Sequence, residues 1–373
     1  MKSVPPISVL MKPSSGMCNM HCDYCFYCDE VGKRKQANYG FMSEETLHNV
    51  LRRTLPHAQG TAGFVFQGGE PTLRGLDFFR KVIEYERRCN SNRVSIQNSL
   101  QTNGALIDED WCRFLHDEHF LVGISVDGLP AIHDSHRRLS GSTESSYDRV
   151  CRAAGLMDRF QVDYNILTVV HADVASHIED IYRSYKKRGW KYQQYIACLD
   201  PLGEGHGNKS YALTPELYGD FLIRLFNLWY RDALEGRQPY IRQFENYLGI
   251  LLGYSPESCD QRGVCSIQYV VEADGSVYPC DFYMLDEYRL GNFNTDRLPV
   301  IDEKRKEIGF IEQSCKLDEG CRSCPYYRLC RGGCRRSRDP APESEMYRNY
   351  FCKSYRMFFD ACLPRMEKII GRH

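Results

Sequence analysis

Cysteine placement constrains this chain more than any other feature. Eighteen cysteines are present, gathered into a group near each end, with Cys89, Cys112, Cys151 and Cys198 scattered between. The opening Met1-Lys2-Ser3-Val4-Pro5-Pro6 has no long apolar stretch ahead of a small-residue cleavage site, so a cytoplasmic location is expected. A reducing compartment argues against a disulfide framework. At 373 residues the chain can also bury a core without covalent staples. Closely spaced thiols in such a chain point to metal binding or redox chemistry. The stretch from Cys315 to Cys334 is too rich in Cys, Arg and Gly to form an apolar core alone, and bound metal would hold it together. Two metal-bearing regions are expected.

The first two hundred residues alternate between two periodicities. Ile7–Met11, Gly63–Gln67, Ser95–Gln101, Phe120–Val126, Asp163–Val170 and Tyr192–Ile196 read as strands. Ser43–Leu55, Leu76–Arg88, Glu109–His119, Tyr147–Phe160 and Val174–Arg188 read as helices, the first with Ser43 as its cap. Repeated βα units predict an α/β fold with a parallel sheet, and right-handed crossovers curl it into a partial (β/α)6 barrel. Chemistry in such folds sits at the C-terminal ends of the strands. The expected organisation is a barrel over 1–200, a helical connector over 201–258 and a cysteine-rich extension over 259–373. The connector carries the helices Thr214–Ala233 and Tyr240–Leu252. The extension begins with strands Ser266–Glu272 and Ser276–Tyr278 around an Asp274-Gly275 turn and ends in a helix over Tyr350–Ile370. A net charge of −1 offers nothing to a nucleic acid, and no apolar run approaches a membrane span.

Cys18-x3-Cys22-x2-Cys25 follows the first strand. Three thiolates at this spacing can hold three corners of a 4Fe–4S cube and leave the fourth iron open. A zinc site is the alternative, since His21 or Cys28 can complete a tetrahedral set. The run Cys18-Asn19-Met20-His21-Cys22-Asp23-Tyr24-Cys25 resembles the signature of the radical S-adenosylmethionine superfamily. Cys28 lies outside that signature and reads as a non-ligand. The resemblance continues through Gln67-Gly68-Gly69-Glu70-Pro71, Gln101-Thr102-Asn103-Gly104 and Ser125-Val126-Asp127-Gly128, each ending a predicted strand. It implies that S-adenosylmethionine binds along Tyr24, Gln67, Gly69, Glu70, Ser125, Asp127, Arg137 and Leu199. The backbone around Gly69, with Glu70 nearby, would receive its amine, and Arg137 its carboxylate. On local sequence alone Arg137 reads equally as a solvated arginine beside Arg138.

Downstream come Cys259-x5-Cys265-x14-Cys280 and Cys321-x2-Cys324-x5-Cys330-x3-Cys334-x17-Cys352, eight thiols and enough for two four-thiolate sites. On spacing alone the run from Cys321 to Cys334 also passes as a zinc knot. The pattern resembles the SPASM extension of radical S-adenosylmethionine enzymes, including Gly332-Gly333 before Cys334. That resemblance implies two auxiliary 4Fe–4S clusters, one on Cys259, Cys265, Cys280 and Cys334 and the other on Cys321, Cys324, Cys330 and Cys352. The pairing of Cys334 with the earlier cysteines comes from the family, not from spacing. Cys315 and Cys362 remain and are expected to pack.

Asp281 directly follows Cys280 in Val277-Tyr278-Pro279-Cys280-Asp281-Phe282-Tyr283, where it is a candidate general base or an ordinary turn aspartate. This segment, with Phe66–Thr72 and Cys198-Leu199-Asp200-Pro201-Leu202, resembles the anaerobic sulfatase-maturating enzymes from about Ser8 to Pro364. One departure is Ser337, where relatives carry another cysteine. The family implies oxidation of a cysteine or serine in a sulfatase motif of the Cys/Ser-x-Pro/Ala-x-Arg type to Cα-formylglycine. In that scheme Asp281 takes the thiol or hydroxyl proton, while Tyr24, Gln67 and Leu199 surround the adenosine and the target side chain. The implied partners are a sulfatase polypeptide and an electron donor such as flavodoxin or ferredoxin. A SPASM maturase forming a thioether crosslink, a zinc-binding interaction protein and a non-catalytic electron carrier are the rival readings.

Overall fold

Short apolar runs buried on both faces build the sheets. In the strand Ile7–Met11 only Ser8 is exposed, and Tyr269–Val271 is buried at every position, the pattern of strands inside a parallel sheet. The structure, a computed structural model, describes residues 6–341 and 345–371. The first five residues of the segment read above for export signals lie outside the described residues. Two compact units emerge. One comprises the chain up to Ser125, Asp134–Tyr164 and Ile267–Gly309, and the other Val126–His133, Asn165–Ser266 and Phe310 onward.

In the first unit, Tyr269–Val271, Ile7–Met11, Thr61–Phe66, Ser95–Thr102 and Leu121–Ser125 lie side by side in that order, all parallel. Ser276–Tyr278 and Gly291–Asn292 extend the sheet antiparallel beyond Tyr269–Val271. Val9 stands opposite both Phe64 and Tyr269, so Met11, Phe66 and Val271 reach the same edge. The helices Glu44–Thr54, Leu76–Cys89 and Glu109–Asp117 connect these strands, and Ser146–Arg159 follows the last of them. Ser43, Asp108 and Ser145 cap three of them by accepting from Thr46, Trp111 and Asp148 N–H groups, each worth about 1 kcal/mol. Phe66, Phe79, Trp111 and Phe120 pack edge to face or tilted at centroid distances of 5.1–6.4 Å. Each such fully buried ring contributes roughly 2–3 kcal/mol.

Residues of the extension expected over 259–373 occur in both units. Tyr269–Val271 pairs with Ile7–Met11, which draws residues 267–309 into the first unit. The hairpin around Asp274-Gly275 is present, with Gly275 at φ +85°.

In the second unit, Tyr164–Val170, Tyr192–Ala197 and Tyr240–Ile241 form parallel pairs. The helix predicted over Val174–Arg188 is two, Ala172–Ser176 and Ile178–Lys187, broken at His177 where ψ is 23°. Thr214 caps Pro215–Leu234, and Cys352–Ile369 packs along it through Phe226 and Phe358. Arg242–Leu252 adds Phe244 to that aromatic cluster. No helix among the described residues is long and apolar enough to cross a membrane.

Candidate active site and cysteine clusters

The first cysteine loop is tied down on both sides. Met20–Cys22 pairs antiparallel with Arg137–Leu139, placing Cys22 opposite Arg137. Cys25 immediately precedes the helix Phe26–Gly32, and its N–H donates to the Cys22 carbonyl at 3.2 Å. The Cys18 thiol is pushed up to about 12, first by burial and then by the Glu70 carboxyl, with Cys22 and Cys25 adding to the effect. Three half-buried thiols that influence one another electrostatically are a soft donor set whose protons a metal would displace. Cys25 is held down to about 6, chiefly by a hydrogen bond from the Cys28 thiol. Cys28 therefore sits against a cluster thiol one helical turn on, although its residue is exposed.

The Gly-Gly-Glu-Pro turn grips this loop through its backbone. Gly69 N–H donates to the Ser15 carbonyl at 2.9 Å, and Glu70 N–H to the Met17 carbonyl at 2.8 Å. A Cβ on Gly69 would stand 1.9 Å from the Met17 carbonyl oxygen, so no side chain fits. Glu70 is 1% exposed and fully engaged. Oε1 accepts from Thr72 N–H, Thr72 Oγ1 and Thr102 Oγ1, and Oε2 from Asn103 N–H at 2.8 Å. The sequence reading gives the cofactor amine to the backbone around Gly69, with Glu70 nearby. In the structure its carboxylate joins the ends of two strands and holds Asn103, whose Nδ2 donates to Asn19 Oδ1 at 2.8 Å.

Arg137 is not a solvated arginine. It is 8% exposed, and its Nη1 donates to the Tyr24 hydroxyl at 2.9 Å, whereas the side chain of Arg138 is 52% exposed. Ser125 accepts from Gln101 Nε2 at 3.1 Å. Gln67 Nε2 donates to Asp281 Oδ2 at 2.8 Å, and the ammonium of Lys12 ion-pairs with Asp281 Oδ1. Tyr24, Gln67, Gly69, Glu70, Ser125, Arg137 and Asp281 thus all belong to the first unit. Sequence reasoning missed Lys12 and Asn103. A lysine ending a buried strand, immediately before Pro13, was the available signal for Lys12.

Asp127 and Leu199 belong to the second unit. Asp127 is fully buried, its Oδ1 accepting from Val169 N–H at 2.9 Å and its own N–H donating to His133 Nδ1. Leu199 is half-buried, and the Asp200 carbonyl beside it accepts from Arg336 Nη2 at 2.6 Å.

Two separate thiol groups occur in that unit. Cys334 is pushed up to about 12 by burial, then by Cys259, with Cys265 among its further neighbours. Cys330 is pushed up to about 12 by burial, then by Cys352, Cys321 and Cys324. Cys334 therefore neighbours the earlier pair, although Cys330 precedes it by only four residues. Gly263, between Cys259 and Cys265, has φ +71° and no room for a Cβ, which would lie 2.1 Å from the Arg331 carbonyl oxygen. Arg338 ties the loops together. Its guanidinium donates to the carbonyls of Gly263, Ser314, Gly332 and Gly333 at 2.6–2.9 Å. Its electrostatic neighbours are thiols of both groups, Cys334, Cys265, Cys321 and Cys330. Of the two spare cysteines expected to pack, Cys362 is fully buried, but Cys315 is exposed, because the short helix Phe310–Gln313 ends just before it.

A parallel α/β unit with three thiols in its first loop, in a chain that carries further thiol sets, defines a radical S-adenosylmethionine enzyme with an auxiliary iron–sulfur domain. The radical SAM superfamily model matches residues 13–185, and the SPASM iron–sulfur cluster-binding domain model matches residues 259–325. The chain is 45% identical to the cysteine-type anaerobic sulfatase-maturating enzyme of Clostridium perfringens, over 98% of this chain and 99% of that one. It is 32% identical to the serine-type enzyme of Klebsiella aerogenes, over 98% and 87%. The solved structure of anSMEcpe with bound AdoMet and Cp18Cys peptide superposes with a TM-score of 0.92 at 44% identity, covering 98% of this chain and 99% of that one. The chain belongs to the anaerobic sulfatase-maturating enzymes, radical SAM oxidoreductases that use S-adenosylmethionine and iron–sulfur clusters.

Proposed function

We propose that this chain oxidises a cysteine in a sulfatase-motif peptide to Cα-formylglycine. The observation that carries the reading is the Asp281 carboxylate, next in sequence to Cys280 and held on one oxygen by Lys12 and on the other by Gln67. Greater identity to cysteine-type than to serine-type relatives supports cysteine as the target. S-adenosylmethionine at the Cys18, Cys22 and Cys25 cluster supplies, when bound, the 5′-deoxyadenosyl radical that removes a hydrogen atom from the substrate Cβ. Arg137 and the backbone around Gly69 orient the methionine portion, while Tyr24, Gln67 and Leu199 shape the space for adenosine and target. Asp281 accepts the thiol proton. Loss of the hydrogen atom, of the proton and of one further electron, which the auxiliary cluster assigned to the Cys280 set would accept, leaves a thioaldehyde, which water converts to the aldehyde and hydrogen sulfide.

Cys259, Cys265, Cys280 and Cys334 are assigned to one auxiliary cluster, and Cys321, Cys324, Cys330 and Cys352 to the other. The region 259–373 thus carries both sets, after the barrel residues 1–200 and the connector 201–258. An electron donor of the flavodoxin or ferredoxin type reduces the enzyme.

The test is anaerobic incubation with reductant, S-adenosylmethionine and a cysteine-motif peptide, read by mass spectrometry. Loss of about 18 Da marks formylglycine. Loss of about 2 Da with sulfur retained marks a crosslink and rejects the proposal. Reconstituted protein is expected to hold about twelve irons per chain, three cubes, and a colourless, zinc-rich protein rejects it as well.

A further inference from the structure

Lys12 is completely buried, and burying an ammonium is costly unless it is well paired. Its backbone ends the strand edge, with its N–H on the Val271 carbonyl at 2.8 Å. The side chain runs past Gly68, where an added Cβ would lie 2.9 Å from the lysine Cδ. The ammonium meets Asp281 Oδ1 and lies 4.2 Å from the centroid of the Tyr27 ring, a cation–π contact in a dry environment. Tyr27 is fixed in turn, its hydroxyl donating to Glu272 Oε2 at 2.7 Å, which also receives Arg34 Nη1 at 2.7 Å. Glu272 and Arg34 have no exposed side-chain surface. A chain of buried, mutually fixed groups therefore runs from Arg34 to the one carboxylate assigned to proton acceptance.

Resting on the function proposed above, we infer that Lys12 is a positioning residue for the oxidation, holding Asp281 Oδ1 so that the opposite lone pairs face the substrate. Gln67 fixes the other oxygen, and the two donors together leave the carboxylate a single orientation. The Asp281 side chain is 13% exposed, so one edge stays open for a substrate proton while the other is closed by the protein. Misplacing a base by a fraction of a bond length costs much of its catalytic contribution. The inference concerns the placement of Asp281.

The experiment compares Lys12→Met, Asp281→Asn and the double variant, reading formylglycine formed per 5′-deoxyadenosine released. Methionine keeps the aliphatic stem and removes the charge. Lys12→Met is expected to lower this ratio at least about tenfold, part of the roughly 10²- to 10⁴-fold that a placed base contributes. In the Asp281→Asn background the same substitution is expected to change the ratio no further, because residues acting as a unit are not additive. Independent, multiplicative losses overturn the inference, as does an unchanged ratio in Lys12→Met. Lys12→Arg retains the charge and is expected to keep more coupling than Lys12→Met. If Lys12→Met and Lys12→Arg both lose iron, the residue serves the fold and the inference fails. A wild-type enzyme that releases 5′-deoxyadenosine yet makes no formylglycine fails the functional reading and this inference with it. Normal wild-type turnover with additive losses fails the inference alone.

Discussion

Replacing Glu86 by glutamine is expected to stabilise the enzyme progressively as pH rises above 4.5, with the full effect reached above neutral pH. Glu86 lies on the helix Leu76–Cys89 and is 3% exposed. Asn98 Nδ2, on the strand Ser95–Thr102, donates to its Oε2 at 2.9 Å. Glu86 Oε1 and Asn98 Oδ1 are both buried without a hydrogen-bond partner. Two acceptors left over in one pair are accounted for when the carboxyl carries a proton, because its O–H then donates to the amide oxygen. Burial raises the carboxyl from 4.5 to about 7 against the opposing Asn98 hydrogen bond. The native state thus keeps a proton that the unfolded chain releases as pH passes 4.5. The resulting stability is complete below that value and is lost as pH rises through 7. A gap of roughly 2.5 units at about 1.36 kcal/mol each amounts to about 3 kcal/mol. Glutamine offers the same shape with a permanent donor and acceptor. Anaerobic thermal and denaturant unfolding at pH 5, 6.5 and 8 is expected to give curves for wild type and Glu86→Gln that converge at the acid end and separate by about 3 kcal/mol at the alkaline end. An offset independent of pH refutes the protonated pair.

Gly69→Ala is expected to expel the first cysteine loop, since the new Cβ meets the Met17 carbonyl at 1.9 Å and two backbone hydrogen bonds depend on that contact. About a third of the iron should be lost, with destabilisation of roughly 2–4 kcal/mol; full iron content rejects the steric argument. Arg338→Gln removes a buried positive charge neighboured by thiols of both groups in the second unit. The auxiliary clusters should then reduce at lower potential, because a nearby cation favours the reduced cube. Arg338→Lys should fall between, and an electron paramagnetic resonance titration in which only the Cys18, Cys22 and Cys25 cluster shifts refutes the assignment.

Local chemistry was legible in the sequence. Ser43 and Thr214 stand where helices begin, and Asp274-Gly275 turns a hairpin, because caps and turns depend on residues a few positions apart. Spacing marked the cysteine loop, and the family resemblance marked the glycine turn. Contacts across long separations were not legible. Nothing in Tyr269–Val271 by itself says that its partner is Ile7–Met11. The Lys12–Asp281 pair spans 269 positions, and lysine ordinarily reads as surface. The hydrogen bonds of Glu70 were equally hidden, since only the fold reveals that Thr72, Thr102 and Asn103 occupy its oxygens. The break at His177 and the exposure of Cys315 likewise follow from packing rather than from propensity.

The parallel pairing of Ile7–Met11 with Tyr269–Val271 also sets an order of events during synthesis. A ribosome must deliver nearly three hundred residues before the first strand has both its neighbours. Until then Lys12 and Arg34 are two cations awaiting the late-emerging Asp281 and Glu272. Hydrated charges resist enclosure, so the two side chains should stay solvated until the late segment brings the two acids.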